Sequence, residues 1–182
     1  MSPHTMSHGP EPVPALPDHA GGWTLRPAPS TPPGGGPPLP ASARAYLALR
    51  DGSEEPAFRV VVQRVLDHPL RGCYPVGGRD LLLSLLPLSP APLSPEPLPS
   101  RPEPEAGALL DALAQALFGA DPCCRRVMAA PDSDDVRAQE RYASGRFRAV
   151  AEADLHERSV TLMVVEPAQV TGVSTALDDM PH

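Results

Sequence analysis

Apolar positions change their period several times along this chain, and each period predicts a different element. Ala45 to Arg50 and Ala57 to Leu66 alternate or run apolar on either side of Asp51-Gly52-Ser53, which predicts two strands joined by a hairpin. The second carries Phe58, Val60, Val61, Val62 and Val65. Leu81 to Leu88 is short and almost wholly apolar, the pattern of a strand buried on both faces, and turn residues from Val76 to Asp80 precede it. Ala106 to Ala120 then sets Leu109, Leu110, Leu113, Leu117 and Phe118 at helical spacing, with Gly119 near a natural stop. Cys124 to Ala130 reads as a strand and Asp135 to Ser144 as a shorter helix. Phe147 to Leu155 and Ser159 to Glu166 form a hairpin around His156-Glu157-Arg158. The order β-β-β-α-β-α-β-β requires a right-handed crossover, hence a central parallel pair, while the hairpins add antiparallel strands on both sides. The fold class is α+β (α/β): a mixed, mostly antiparallel sheet with two helices.

Composition divides the chain. Of its 182 residues 27 are Pro and 14 Gly, concentrated before residue 42 and between residues 88 and 105. Proline has no amide donor, so neither stretch suits a helix interior or a central strand. The expected plan is a disordered leader over 1–42, a folded domain over 43–167 with a proline-rich insertion at 88–105, and a flexible tail over 168–182. Within the leader only Trp23 to Arg26 could pair, as an edge strand. The net charge of −7, with 15 scattered cations that are all Arg, argues against nucleic acid as a partner. The 3 cysteines, Cys73, Cys123 and Cys124, have no metal-ligand spacing, so neither a zinc site nor a disulfide framework is expected. The sequence shows no secretory leader and no apolar run of membrane-spanning length, which points to the cytoplasm.

Certain residues then resemble a family. The segment from Ala130 to Pro167 is similar to the C-terminal half of GNAT acyltransferases of the siderophore-biosynthesis branch. That branch includes the hydroxylysine acetyltransferases of aerobactin assembly and the lysine N-acyltransferase of mycobactin assembly. Pro131, Asp132, Arg137, Ala138, Tyr142, Phe147, Leu162 and Met163 match its pattern, as do Leu66 to Leu70, Tyr74 and Gly78 to Asp80 upstream. The resemblance covers about residues 43 to 167. It implies a sheet splayed between two parallel strands, into which acetyl-CoA or an acyl-carrier thioester enters as co-substrate. It further implies transfer of the acyl group to a lysine-like or hydroxylated amine, with an acyl carrier or a siderophore synthetase protein as partner. Cofactor contacts are implied for Arg101, Ala106, Gly107, Asp135 and Arg137, and catalytic positions for Asp132, Tyr142 and Ser84. Asp132 could accept an amine proton or cap a helix. Tyr142 could protonate the leaving thiolate or pack on the sheet.

The sequence departs from this pattern in four places. Arg101-Pro-Glu-Pro-Glu-Ala-Gly107 stands where the family has a glycine-rich pyrophosphate loop; two prolines remove donors and two acids oppose a polyanion. Ser84 replaces the His proposed as base, and serine is no base at neutral pH. No helical pattern follows Trp23 to Arg26, where two helices normally wall the acceptor pocket. Arg146 replaces the Gly before Phe147. His68, beside Pro69, reads as a turn residue or a catalytic one, and the second reading left open for the whole chain is a non-catalytic GNAT-like binding module.

Overall fold

The computed structural model describes residues 12–31, 38–88, 104–156 and 158–167. Among the described residues eight strands form one sheet: β1 (His19–Ala20), β2 (Trp23–Pro27), β3 (Arg44–Arg50), β4 (Pro56–Arg64), β5 (Leu81–Pro87), β6 (Val127–Ala129), β7 (Arg148–Leu155) and β8 (Arg158–Val165). Two helices, α1 (Pro104–Ala120) and α2 (Val136–Ser144), complete it. The spatial order is β1-β2-β3-β4-β5-β6-β8-β7, with β5 and β6 the parallel pair and the other neighbours antiparallel. The mixed sheet with two helices is therefore the one its periodicity predicts.

The period-2 alternation of β5 builds two cores. Leu81, Leu83 and Leu85 face α1, joining Phe58, Val60 and Val62 of β4 and Leu109, Leu110, Leu113 and Leu117 of the helix. Leu82 faces the other way, with Met128, Val160, Leu162 and Val164, under Val65 and Leu70 of the connection between β4 and β5. Two 3-10 turns, Val65–Asp67 and Pro69–Gly72, take up the last residues expected of the second strand. Each fully buried leucine contributes about 1.5–3 kcal/mol relative to exposure, so α1 is held mainly by its four.

Residues 12–31, assigned to a leader by proline content, pack on this body. Val13, Leu16, Trp23 and Leu25 are buried in the helix-side core, and β2 pairs along β3 from Trp23 opposite Arg50 to Pro27 opposite Tyr46. Proline content misleads here because the amides that remain are used, Leu16 N donating to the Tyr46 hydroxyl at 3.1 Å and Ala28 N to the Ala45 carbonyl at 2.9 Å, and the carbonyls are used as well. Arg64 Nη2 donates to the Pro12 carbonyl at 2.9 Å and Arg44 Nε to that of Val13 at 2.9 Å. Gly21 turns the chain at φ +58, where a Cβ would meet Ala112 Cβ at 2.7 Å, so β1 can lie against α1 only without a side chain there. The rest of the expected leader, most of the insertion and the tail lie outside the described residues.

β6 is shorter than the strand expected from Cys124. After α1 the amides of Cys123 and Cys124 bond back to Asp121, at its Oδ1 (3.2 Å) and its carbonyl (2.9 Å), which forms a turn before pairing can start. Asp121 lies 3.0 Å from Arg64 and 3.2 Å from Arg79. No helix among the described residues is long and apolar enough to cross a membrane. Among those residues no group of 3 or more His, Cys, Asp and Glu is placed to hold a metal.

Candidate active site at the splayed strands

The site follows from where the parallel pairing stops. β5 and β6 register at Leu81 with Val127 and Leu82 with Met128, and β6 ends at Ala129 while β5 runs on to Pro87. Leu81 N donates to the Arg126 carbonyl, so the odd residues of β5 direct their backbone groups toward β6. Beyond the last rung, the Leu83 carbonyl and the Leu85 amide therefore face the gap where the strands diverge. The next odd residue is Pro87, which has no donor.

One side chain enters that gap. Leu85 N donates to the Tyr142 hydroxyl at 2.9 Å, and the hydroxyl donates to the Leu83 carbonyl at 3.4 Å. Tyr142 projects from α2, is buried, and packs edge-on to Phe147 with ring centroids 5.4 Å apart. Burial raises its pKa above the ordinary phenol value, outweighing the Leu85 hydrogen bond and nearby Arg141, so the group stays a neutral proton donor. The ring packs on the sheet, as one of the two sequence readings of Tyr142 has it, and the hydroxyl meets the sheet's backbone.

α2 is positioned by close backbone contacts. A Cβ on Gly107 would lie 2.3 Å from Ser144 Oγ and 2.9 Å from its backbone carbon, and one on Gly145 would lie 2.6 Å from Leu110 Cβ. Gly145 is thus occupied in letting α1 and α2 approach. The following Arg146, where the family pattern has glycine, takes φ 68, a conformation costing an L-residue roughly 1–2 kcal/mol. Its guanidinium is ion-paired with Asp111 of α1.

The other sequence-derived residues fall in two groups. Ser84 is half-buried on β5, opposite Val61 and on the face away from α1. Asp132 pairs across an isolated bridge with Val160, whose side chain lies in that same loop-side core, so Asp132 shares the face of Ser84. Its carboxylate accepts from Arg158 Nη1 at 2.9 Å. The structure thus sets Ser84 and Asp132 on one face of the sheet and Tyr142 on the other, with the splay between. Helix capping falls to Asp135, whose Oδ1 accepts from Ala138 N at 2.9 Å, and Arg137 is exposed on the first turn of α2. His68 caps the second 3-10 turn, its Nδ1 accepting from Leu70 N at 3.2 Å. Burial and then Arg158 lower its pKa, so the ring is neutral with its basic nitrogen already engaged.

At the start of α1 the residues do not suit a pyrophosphate. Pro104 has no amide proton, Glu105 is ion-paired with Arg50, Ala106 is 1% exposed, and Gly107 lies against Ser144. Arg101 lies outside the described residues. At the splay one amide, one carbonyl and one phenol lie within hydrogen-bonding reach of each other. Sequence reasoning missed the Leu83 and Leu85 backbone groups and Arg158; the signal for the first was the register of the 81–87 run together with Pro87.

No protein-family model and no curated protein matches this chain. Solved structures do. An uncharacterized protein from Bacillus halodurans superposes with TM-score 0.56 at 20% identity, over 70% of this chain and 60% of its own. The aminoglycoside acetyltransferase AAC(6')-Ib superposes in its complex with ribostamycin and coenzyme A with TM-score 0.57 at 17% identity, over 74% of this chain and 70% of its own. A coenzyme A complex of the same enzyme gives 0.55 at 19% identity, over 69% and 66%. At these identities the likeness establishes the fold: this chain has the GNAT fold. It spans less than two thirds of the length of the Bacillus halodurans protein.

Proposed function

We propose that this protein is a thioester-dependent N-acyltransferase, acting on a lysine-like or hydroxylated amine as in siderophore assembly. The observation that carries this reading is the Tyr142 hydroxyl 2.9 Å from the Leu85 amide at the divergence of β5 and β6. A backbone N–H is what a thioester carbonyl needs as negative charge builds on its oxygen, and a neutral phenol is what the departing sulfur needs. The two lie at one point.

In the proposed reaction the donor enters the splay and the neutral amine approaches from the face of Ser84 and Asp132. The amine nitrogen bonds to the carbonyl carbon while Leu85 N–H holds the oxygen. As the C–S bond breaks, the sulfur takes the Tyr142 proton. The nitrogen gives up its extra proton to water beside Asp132, and a solvent proton restores the phenol. Ser84 hydrogen-bonds the incoming amine and removes no proton. The first turn of α1 favours a donor that makes little use of a pyrophosphate cradle, such as a thioester on an acyl carrier protein, over free acetyl-CoA.

Thiol release from acetyl-CoA, S-acetylpantetheine and an acetylated carrier protein, with lysine or hydroxylysine as acceptor, tests the reading. The expected order of rates is carrier or pantetheine above CoA. Absence of thiol release with every donor would overturn it. A second reading, a non-catalytic GNAT-like module that binds a partner protein or another ligand, is favoured by Ser84 in place of a base and by the prolines and acids before α1; it requires that calorimetry detect no acyl-CoA binding and that no thiol be released.

A further inference from the structure

Building on the acyl-transfer reading, we infer that the Tyr142 hydroxyl is an internal substitute for the donor's carbonyl, which a bound thioester displaces from the Leu85 amide. The backbone order at the splay leads to this. The Leu83 carbonyl and the Leu85 amide are the first β5 edge groups without a partner on β6. A buried amide left unpaired costs about as much as a full desolvated donor, so the ligand-free protein needs a group to satisfy it. A hydroxyl can accept from Leu85 N and donate to Leu83 O at once, and Tyr142 does both, at 2.9 and 3.4 Å.

A thioester carbonyl can only accept. To be polarised by a β5 amide it must use Leu85 N–H, because Pro87 supplies no donor further along the splay. Phenol and carbonyl therefore compete for one proton. The exchange conserves the number of hydrogen bonds, since the released phenol keeps its own proton and turns it from Leu83 O toward the sulfur that has just arrived. The same movement that admits the substrate thus aims the acid that the reaction consumes. The contacts of Gly107 with Ser144 and of Gly145 with Leu110 hold α2 in place, so the phenol leaves Leu85 N by a tilt of its whole ring about the side-chain torsions, against the edge-on contact with Phe147.

The test uses the full chain and a ketone isostere of S-acetylpantetheine, in which CH2 replaces sulfur so that no transfer occurs. Tyr142→Phe removes the competitor and is expected to bind the isostere about tenfold more tightly than the wild type, the worth of one net hydrogen bond. Thiol release from S-acetylpantetheine should fall in the same variant. Hydrogen exchange at the Leu85 amide should be slow in the wild type, fast in Tyr142→Phe, and slow again when the isostere is added. Equal or weaker binding by Tyr142→Phe, with Leu85 exchange indifferent to the isostere, overturns the inference. If instead Leu85 responds as expected but the wild type releases no thiol, the exchange stands and the enzyme reading falls. Binding to neither protein at millimolar isostere defeats both. Should Tyr142→Phe fail to fold, the wild type carries the test: the Tyr142 Cζ resonance must shift on adding the isostere while Leu85 stays protected, and an unmoved resonance at saturation overturns the proposal.

Discussion

Replacing Asp121 with Ala removes one partner of the most buried ion pair among the described residues. Asp121 is 5% exposed and accepts from Arg64 at 3.0 Å and Arg79 at 3.2 Å. Arg64 is itself 4% exposed, and its Nε has no hydrogen-bond partner. Without the carboxylate a buried guanidinium has no counter-charge, a change that costs about 3–5 kcal/mol. For a domain of this size that lowers Tm by roughly 10–20 °C. Urea unfolding followed by Trp23, the only tryptophan and one packed 5.6 Å from Phe58, measures it directly. Substituting Leu at 121 and Met at 64 together should recover most of the loss, since an apolar pair of similar volume needs no counter-ion. The pH dependence has a definite sign. Burial alone would raise the pKa of Asp121, but the hydrogen bonds and charges of Arg64 and Arg79 outweigh it and hold it below the ordinary carboxylate value. A lowered folded pKa gives stability that is complete above the unfolded pKa, near 4, and is lost as pH falls toward the folded one. The single variant should therefore lose the part of the acid dependence that Asp121 contributes, while Glu166, held low by Arg148 and Arg126, keeps its own. A destabilisation under about 1 kcal/mol at pH 7, with an unchanged m-value, would refute this account.

Two further outcomes follow from the geometry. Gly107→Ala should destabilise by about 1–3 kcal/mol in urea unfolding, because the new methyl meets Ser144 backbone at 2.9 Å; an unchanged midpoint would mean that α1 and α2 are not so close. Cys124 is buried, and burial pushes its pKa up to about 12, so alkylation at pH 8 should modify the exposed Cys73 and Cys123 in the native protein and reach Cys124 only in urea; prompt labelling of all three would contradict the packing.

The fold was legible where side-chain periodicity carries it. The 81–87 run reads as a doubly buried strand because leucines on both its faces have something to cover, α1 on one side and the 65–76 connection on the other. In the N-terminal segment only the Trp23 to Arg26 strand was legible, and the rest was not for the opposite reason. Its prolines signal missing amide donors, but the segment docks through carbonyls, to Arg44 and Arg64, through the amides of Leu16 and Ala28, to Tyr46 and Ala45, and through the side chains of Val13 and Leu16. Arg146 shows the same limit in miniature: a left-handed position announces itself by glycine, and here an ion pair to Asp111 accompanies the arginine that occupies it.

The candidate chemistry depends on a distinction that residue types do not display. Resemblance directs attention to side chains, and by that measure Ser84 and the acidic start of α1 both weaken the case for catalysis. The groups the proposed reaction uses most are a backbone amide and the phenol that meets it, and the amide is present whatever residue stands at position 85. What the sequence controls is whether that amide is free to face the gap: the strand must outlast its parallel partner, position 85 must fall on the odd register set by Leu81, and no proline may occupy it. β5 meets these conditions at Leu85 and fails one of them at Pro87, so β5 presents one usable donor to the splay. A single donor suffices for one thioester carbonyl and leaves none for a second amide along the pantetheine arm. Hence the loss of phosphate-binding features at α1 and the loss of a donor at Pro87 act on the same property, the grip on the distant end of the donor, while the point of bond exchange between Leu85 and Tyr142 is untouched by either.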